Sequence, residues 1–278
     1  MKIDLVFSVN AGYLPGLLAT INSIIQNTAQ PERLRFNIII PKNELQIFEN
    51  ELPKHFHNPD IEFRFKEYIP TPEVQDYIVQ KYKPPSIDRT NALYMLFARL
   101  FLGSVLPDLK KVIYLDTDIV VVDDIALLYD SINFSENQYF AAVPHFFPAI
   151  FHFSNPFKAL HELRTIKKTF NGGVLFTDLS FWKKEDYQKL DACLEWDRQC
   201  GYKLLQLNDE TLLNLMFKDY VQLDRRWNCC GFGNTKLISW LLKKDLSKIS
   251  IIHWSGGHHK PWKSKNIPYA DIWSKYAI

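Results

Sequence analysis

Apolar residues fill Lys2 to Val9 almost without a break, a pattern that predicts a buried strand. A turn at Asn10–Gly12 follows. Leu14, Leu17, Leu18, Ile21, Ile24 and Ile25 then recur at helical spacing and predict a helix to about Asn27. Further strands are predicted at 36–40, closed by Pro41, and at 61–65. Strand and helix thus alternate from the start of the chain, the signature of an α/β protein with a mostly parallel sheet.

Pro84 and Pro85 place 82–90 in a loop. Leu93, Leu96, Phe97, Leu100 and Phe101 form the next helical stripe. Lys111–Leu115 and Ile119–Val122 are short strand-type runs, and 139–143 and 173–177 read likewise. Segment 145–164, rich in Phe and His, reads as an irregular stretch and a candidate lid. Asp178 is placed as the cap of a helix from Leu179, and Asn208 as the cap of another. The last predicted strand, 249–253, runs into a Gly-His-Lys-Pro-Trp loop. No repeat, low-complexity tract or linker interrupts the pattern, so one domain is expected over 1–278.

The chain has 278 residues, 47% hydrophobic and 23% charged, which excludes a disordered or fibrous protein. Lys and Arg total 33 against 31 Asp and Glu, a net charge of +2, which argues against a nucleic-acid partner. The positive charge is concentrated late: from Lys236 to Ile278 eight lysines face two aspartates. With Trp262, Lys263, Lys265, Trp273 and Lys275, this end of the chain is either a solvated face or a peripheral contact with an anionic membrane surface. The N-terminal run is too short and too alternating for a signal peptide, and no stretch approaches a membrane span. The four cysteines show no paired metal-binding spacing. The expected compartment is therefore the reducing cytoplasm.

Asp116-Thr117-Asp118 closes the apolar run VIYL. On an extended chain, residues two apart point to one side. Two carboxylates at the carboxyl end of a strand sit where open α/β sheets bind ligands, and their mutual repulsion asks for a cation. Oxygen ligands suit Mg²⁺ or Mn²⁺, which also clamp a diphosphate. Two aspartates in a surface turn would look the same. His253-Trp254-Ser255-Gly256-Gly257-His258-His259-Lys260 offers a metal-ligating imidazole, glycines that let backbone approach a phosphate, and a lysine charge. It can equally be a glycine-rich surface loop. Asn171-Gly172 before the 173–177 strand is a sugar-binding amide or an ordinary Asn-Gly turn. Asp209 and Glu210 are a reactive pair or simply acids at a helix N-terminus. Arg99 falls on the flank of its helical stripe, in reach of a diphosphate or of solvent.

Five segments in this order carry a resemblance: LVFSVN with Tyr13; FARLFLGSVLPDLKKVIYLDTDIVVVDDIALLY (97–129); FNGGVLFTDLSFW (170–182); LNDETLLN (207–214); and HWSGGHHKPW (253–262). Together they resemble the retaining glycosyltransferases of family 8, the group of glycogenin, bacterial lipopolysaccharide galactosyl- and glucosyltransferases and plant galacturonosyltransferases. The resemblance implies a GT-A fold, a Rossmann-like mixed, mostly parallel sheet flanked by helices, with 263–278 as a basic aromatic C-terminal segment. It implies a UDP-sugar donor and Mn²⁺, with Mg²⁺ as the alternative ion, held by Asp116, Asp118 and His253. It assigns Ser8, Asn10 and Tyr13 to the uracil, Gly256 or Gly257 and Lys260 to the diphosphate, and Asp116 and Thr117 to the donor. Arg99, Asn171, Gly172 and Asp209 would meet the donor sugar or diphosphate, and Glu210 the anomeric centre.

Three departures matter. The HxxGxxKPW pattern carries one extra residue here. Glu210 stands where glutamine is common in the family. Asn10 replaces an aspartate of some members. A glutamate can attack as a nucleophile or only stabilise positive charge during front-face transfer, and both routes stay open. The expected function is transfer of galactose or glucose from a UDP-sugar to a glycan or glycolipid. UDP-galacturonate, with Arg89 or Arg164 meeting its carboxylate, is the alternative donor. A self-glucosylating primer, a haloacid-dehalogenase-type phosphatase and a non-catalytic glycan-binding module are the other readings.

Overall fold

The computed structural model describes residues 1–278. The first strand, β1 (Ile3–Ser8), pairs in parallel with β2 (Leu34–Pro41), and β2 with β3 (Glu62–Tyr68). On its other side β1 pairs in parallel with β4 (Lys111–Leu115). Beyond β4, β5 (Ile119–Val121) leaves the main sheet. The sheet continues through the antiparallel β7 (Phe170–Asp178), then β6 (Phe140–Pro144) and the two-residue β8 (Val221–Gln222), giving the order β3-β2-β1-β4-β7-β6-β8. This is the mostly parallel sheet that the alternation predicts, in the mixed, helix-flanked form that the resemblance implies. A second, two-stranded sheet joins β5 to β9 (Ile251–His253) in antiparallel pairing.

Strands β1, β2 and β4 are buried on both faces, as their apolar runs require. One hydrophobic cluster packs the helix Leu14–Asn27 against one face of the sheet through Leu17, Ile21 and Ile24. Another packs helices Ile87–Ala98, Lys184–Gln199 and Asn208–Met216 against the opposite face through Phe97, Leu190 and Leu213. A third, smaller cluster holds the C-terminal end, where Trp254, Phe232, Tyr269 and Trp273 surround Val120 and Ile252.

The structure changes several expectations. Of the segment 82–90 only 83–86 is a loop: Tyr82 ends one helix, and the Ser86 hydroxyl accepts the Arg89 N–H at 3.2 Å and starts another at Ile87. The pattern also missed helices Leu45–His55 and Pro72–Tyr82, whose short apolar faces give weak periodicity. Asn171 and Gly172 lie inside β7, three residues longer at its start than predicted, and not in a turn. Asp178 does accept a backbone N–H, from Ser180 at 3.0 Å, but it caps a single 3₁₀ turn before the helix Lys184–Gln199. Asn208 is no cap: it is the first helical residue, with φ of +50°, and its side chain caps nothing. The C-terminal rings face inward. Trp273 is buried and Trp262 stacks edge-on to Tyr13 at 5.7 Å, so only Lys263, Lys265 and Lys275 of the expected membrane contact remain exposed.

Candidate active site

Of the residues expected to hold the metal, the nucleotide or the reacting centre, all except Gly172 line one cleft of about 760 Å³ at the carboxyl ends of β1 and β4. A separate cavity of about 470 Å³ around Cys193 and Phe217 contains none of them.

The register of the small sheet assembles the metal-type donors. Ile119 pairs with His253, so the residue before β5, Asp118, lies beside the last residue of β9. The His253 Nε2 is 3.2 Å from Asp118 Oδ1 and 3.7 Å from Asp116 Oδ2. Asp116 follows β4 and is fixed by its N–H donating to the Gly173 carbonyl at 2.9 Å. Gly173, which the sequence reading passed over for Gly172, is what lets β7 pass this close. A Cβ there would lie 2.2 Å from His253 Cε1 and 2.9 Å from Asp116 Oδ2. The second glycine of the Asn-Gly-Gly run was the available signal.

A chain of amides sets the tautomer of His253. The Asn171 Oδ1 accepts the Gly173 N–H at 3.0 Å, so its Nδ2 faces the Glu210 carboxylate, 2.8 Å away. Asn228 Nδ2 then donates to the same Asn171 oxygen at 2.9 Å. That leaves Asn228 Oδ1 to accept from His253 Nδ1 at 2.8 Å. Nδ1 therefore carries the proton, and the Nε2 lone pair points at the two aspartates. Two carboxylates and one correctly oriented imidazole, with their donor atoms within 4.8 Å of one another, fit a divalent cation. Asn228 was not among the residues picked from the sequence.

Lys260 Nζ closes the group. It contacts Asp118 Oδ2 at 2.5 Å, the Trp254 carbonyl at 2.9 Å and the Gly256 carbonyl at 3.0 Å. Burial works against both charges, yet Lys260 holds the Asp118 carboxyl well below the usual carboxylate range, and Asp118 raises Lys260 in turn. The structure separates the two glycines. Gly256 has φ of +113° with Asn234 N 2.9 Å from where a Cβ would stand, while a Cβ on Gly257 meets nothing within 4 Å. Gly256 is the one whose backbone shape requires glycine.

Arg99 is no surface arginine: it is 4% exposed. Its Nε donates to Asp209, and its Nη1 donates to Asp116 Oδ1 at 2.9 Å and to the Gly172 carbonyl at 2.7 Å. Complete burial pushes the Asp209 carboxyl up to about 6 even with Arg99 opposing it. Tyr114 Oη bridges Ser8 Oγ, at 2.7 Å, and Asp116 Oδ1, at 3.3 Å, tying β1 to β4 at the cleft floor.

Glu210 is held on both oxygens. His145 Nε2 meets Oε1 at 2.8 Å; Asn171 Nδ2 and the Gly172 N–H meet Oε2 at 2.8 and 3.1 Å. Burial raises its pKa, but these donors outweigh burial and leave it below the ordinary glutamate value. His145 and His152 come from the Phe- and His-rich segment, whose composition marked it without indicating a partner. His145, His152 and Glu210 also lie within 4.8 Å, but His145 already donates its Nε2 proton to Glu210, so this group is a hydrogen-bonded pair beside a neutral imidazole. Burial lowers His152 to about 4.

Fold and site define a glycosyltransferase of the GT-A type. The family model for glycosyl transferase family 8 matches residues 4–266, and the chain belongs to that family. It is 27% identical to probable galacturonosyltransferase-like 10 of Arabidopsis thaliana over 290 positions, covering 99% of this chain and 76% of that protein. It is 28% identical to probable galacturonosyltransferase-like 4 of the same plant, covering 100% of this chain and 79% of that protein. Among solved structures, an active-site mutant of LgtC superposes with a TM-score of 0.72 at 21% identity, covering 99% of this chain and 95% of that one. The galactosyltransferase LgtC in complex with donor and acceptor sugar analogues gives a TM-score of 0.69 at 21% identity and the same coverage.

Proposed function

We propose that this chain is a single-domain, metal-dependent retaining transferase that moves a hexose, galactose or glucose, from a UDP-sugar to a glycan or glycolipid acceptor. The observation that carries this reading is the convergence of Asp116, Asp118, His253 and Lys260 in one cleft with Glu210. Asp116, Asp118 and His253 would hold Mn²⁺ or Mg²⁺, which offsets the negative charge of the departing diphosphate.

The chain's own residues do the rest. Lys260 carries a positive charge on a flexible stem and stands where a diphosphate would meet it. Ser8, Asn10 and Tyr13 line the cleft beyond Asp116 and are assigned to the uracil. Arg99 holds Asp116 and Asp209 in place across the floor. Glu210 has both oxygens engaged by three donors, which lowers its nucleophilicity. We therefore favour front-face transfer, with Glu210 as a fixed anion that stabilises positive charge developing at the anomeric carbon. The acceptor hydroxyl then loses its proton to the departing phosphate oxygen.

A second donor has its own support. Arg89 lines the same cleft beside Leu93 and Leu96, and the relatives named above are galacturonosyltransferase-like. Arg164, the other arginine considered for a donor carboxylate, is exposed and does not line the cleft.

UDP release from a panel of UDP-sugars, with Mn²⁺ and then with EDTA, tests the reading. Release from one hexose donor, lost with EDTA and in Asp118→Asn, is the expected result. Release from UDP-galacturonate alone, lost in Arg89→Gln, selects the second donor. No release and no UDP binding by calorimetry overturns both.

A further inference from the structure

The helix Lys236–Leu241 is built inside out. Its one buried side chain is Ser239, whose hydroxyl lies 3.1 Å from the carbonyls of both Phe232 and Asn234. Leu237 and Leu241 are 73% and 76% exposed, and Ile238 and Trp240 beside them are 46% and 47% exposed. Lys236, Lys243, Lys244 and Lys248 flank these residues along the chain, all exposed, with Lys243 Nζ 4.9 Å from the Trp240 ring and Asp245 the single acid between 236 and 248. A soluble helix of this composition would turn its leucines inward.

The apolar surface continues beyond the helix. Phe146 lies 3.9 Å from the Arg225 guanidinium and 5.5 Å from Lys244 Nζ, and shares a small cleft with Leu242. Phe147, Ile150 and Phe151 extend it, all exposed. This loop starts at His145, the partner of Glu210. An apolar face fringed by lysine thus runs from 236–248 up to the candidate reacting centre.

We propose that this surface docks on an anionic lipid bilayer. Leu237, Trp240, Leu241 and the Phe146–Phe151 loop enter the interfacial layer, and the lysines meet the headgroups. The choice of a bilayer follows from charge: protein interfaces are depleted in lysine, whereas a tryptophan and leucine face ringed by lysine matches anionic lipid. It differs from the C-terminal contact expected from the sequence, whose rings are turned into the protein. The docking deepens the transferase reading, and rests on it, by making a membrane-borne glycan the acceptor.

The test is flotation of the full chain with vesicles of phosphatidylcholine alone and of phosphatidylcholine with phosphatidylglycerol, at low and high salt. Binding to the anionic vesicles only, weakened by salt, is expected. Leu237→Ser/Leu241→Ser and, separately, Lys243→Gln/Lys248→Gln are each expected to reduce partitioning about ten-fold or more. UDP release from the donor is expected to be unchanged in both. If the leucine pair fails to fold by circular dichroism, the lysine pair decides. No binding by the wild type, or binding that the folded variants retain, overturns the proposal. Self-association without vesicle binding, dispersed by the leucine pair, overturns it in favour of a second copy of the chain. Absence of UDP release from the wild type overturns the transferase reading instead, whatever the vesicles show.

Discussion

Asn228 and His253 are joined by a 2.8 Å hydrogen bond that decides which nitrogen of His253 faces Asp116 and Asp118. Asn228→Ala removes the acceptor and frees the ring to rotate or change tautomer. Loss of such an outer partner typically weakens metal affinity about 10- to 100-fold. The Mn²⁺ concentration for half-maximal UDP release is expected to rise by that factor with the fold intact. An unchanged Mn²⁺ titration would show that the imidazole needs no such support.

The two double-glycine runs make opposite predictions. Gly173→Ala puts a methyl 2.2 Å from His253 Cε1 and 2.9 Å from Asp116 Oδ2, against the buried imidazole and carboxylate of the donor set. It is expected to abolish Mn²⁺ binding by calorimetry, or to unfold the chain. Gly257→Ala meets nothing within 4 Å and is expected to fold, bind metal and turn over as the wild type does. Equal behaviour of the two variants would contradict the packing described around Asp116.

Arg99 is the only cation directly bonded to Asp209. Arg99→Leu leaves a carboxylate that is 2% exposed without its partner. Breaking a buried pair from one side costs about 3–5 kcal/mol. Urea unfolding is expected to show a loss of that size, largely recovered in Arg99→Leu/Asp209→Leu. A loss below about 1 kcal/mol would place the pair with exposed ion pairs.

Glu210 and His145 give a mechanistic and a pH prediction. Glu210→Gln keeps the side chain's shape but removes its charge. Turnover is expected to fall about 100- to 1000-fold, the cost of removing one electrostatic stabiliser, with no rescue by azide. Formation of a glycosyl azide by this variant would make Glu210 the nucleophile. In the folded chain the Glu210 pKa lies below its ordinary value, because hydrogen bonding from His145 outweighs burial. The folded state thus favours the ionised form. That contribution to stability is present above the unfolded pKa and is lost as pH falls through the lower, folded one. His145→Phe raises the folded pKa, so the acid-unfolding midpoint followed by circular dichroism is expected to move to higher pH. A midpoint that stays put or moves down would contradict the pairing.

What the sequence disclosed and what it withheld follow from contact range. The strand-helix alternation reads directly from apolar spacing, because burial is imposed residue by residue along each element. Asp116 and Asp118 stood out because both lie in one short segment whose geometry is local. Arg99 looked like a flank residue because Asp209, the partner that buries it, comes 110 positions later. His145 was visible only as part of an aromatic stretch, and Asn228 not at all. Their roles arise from hydrogen bonds between separate loops. The inside-out helix at 236–241 escaped notice because its apolar residues look like any other core segment until the structure shows which side they take.

The pairing of Ile119 with His253 has a consequence for how the protein is made. The aspartates and the histidine that meet at the cleft lie near the middle and near the end of the chain. Bringing them together means closing one of the longest loops in the fold, a slow and entropically costly step. A growing chain that has finished β1 to β4 already holds Asp116 at its strand end, but it acquires the imidazole only when β9 has been synthesised and has found its register. A slip of one residue in that pairing would turn His253 to the opposite face. Full assembly of the donor set thus waits on β9: the site becomes complete only once that strand has paired with β5 in the right register.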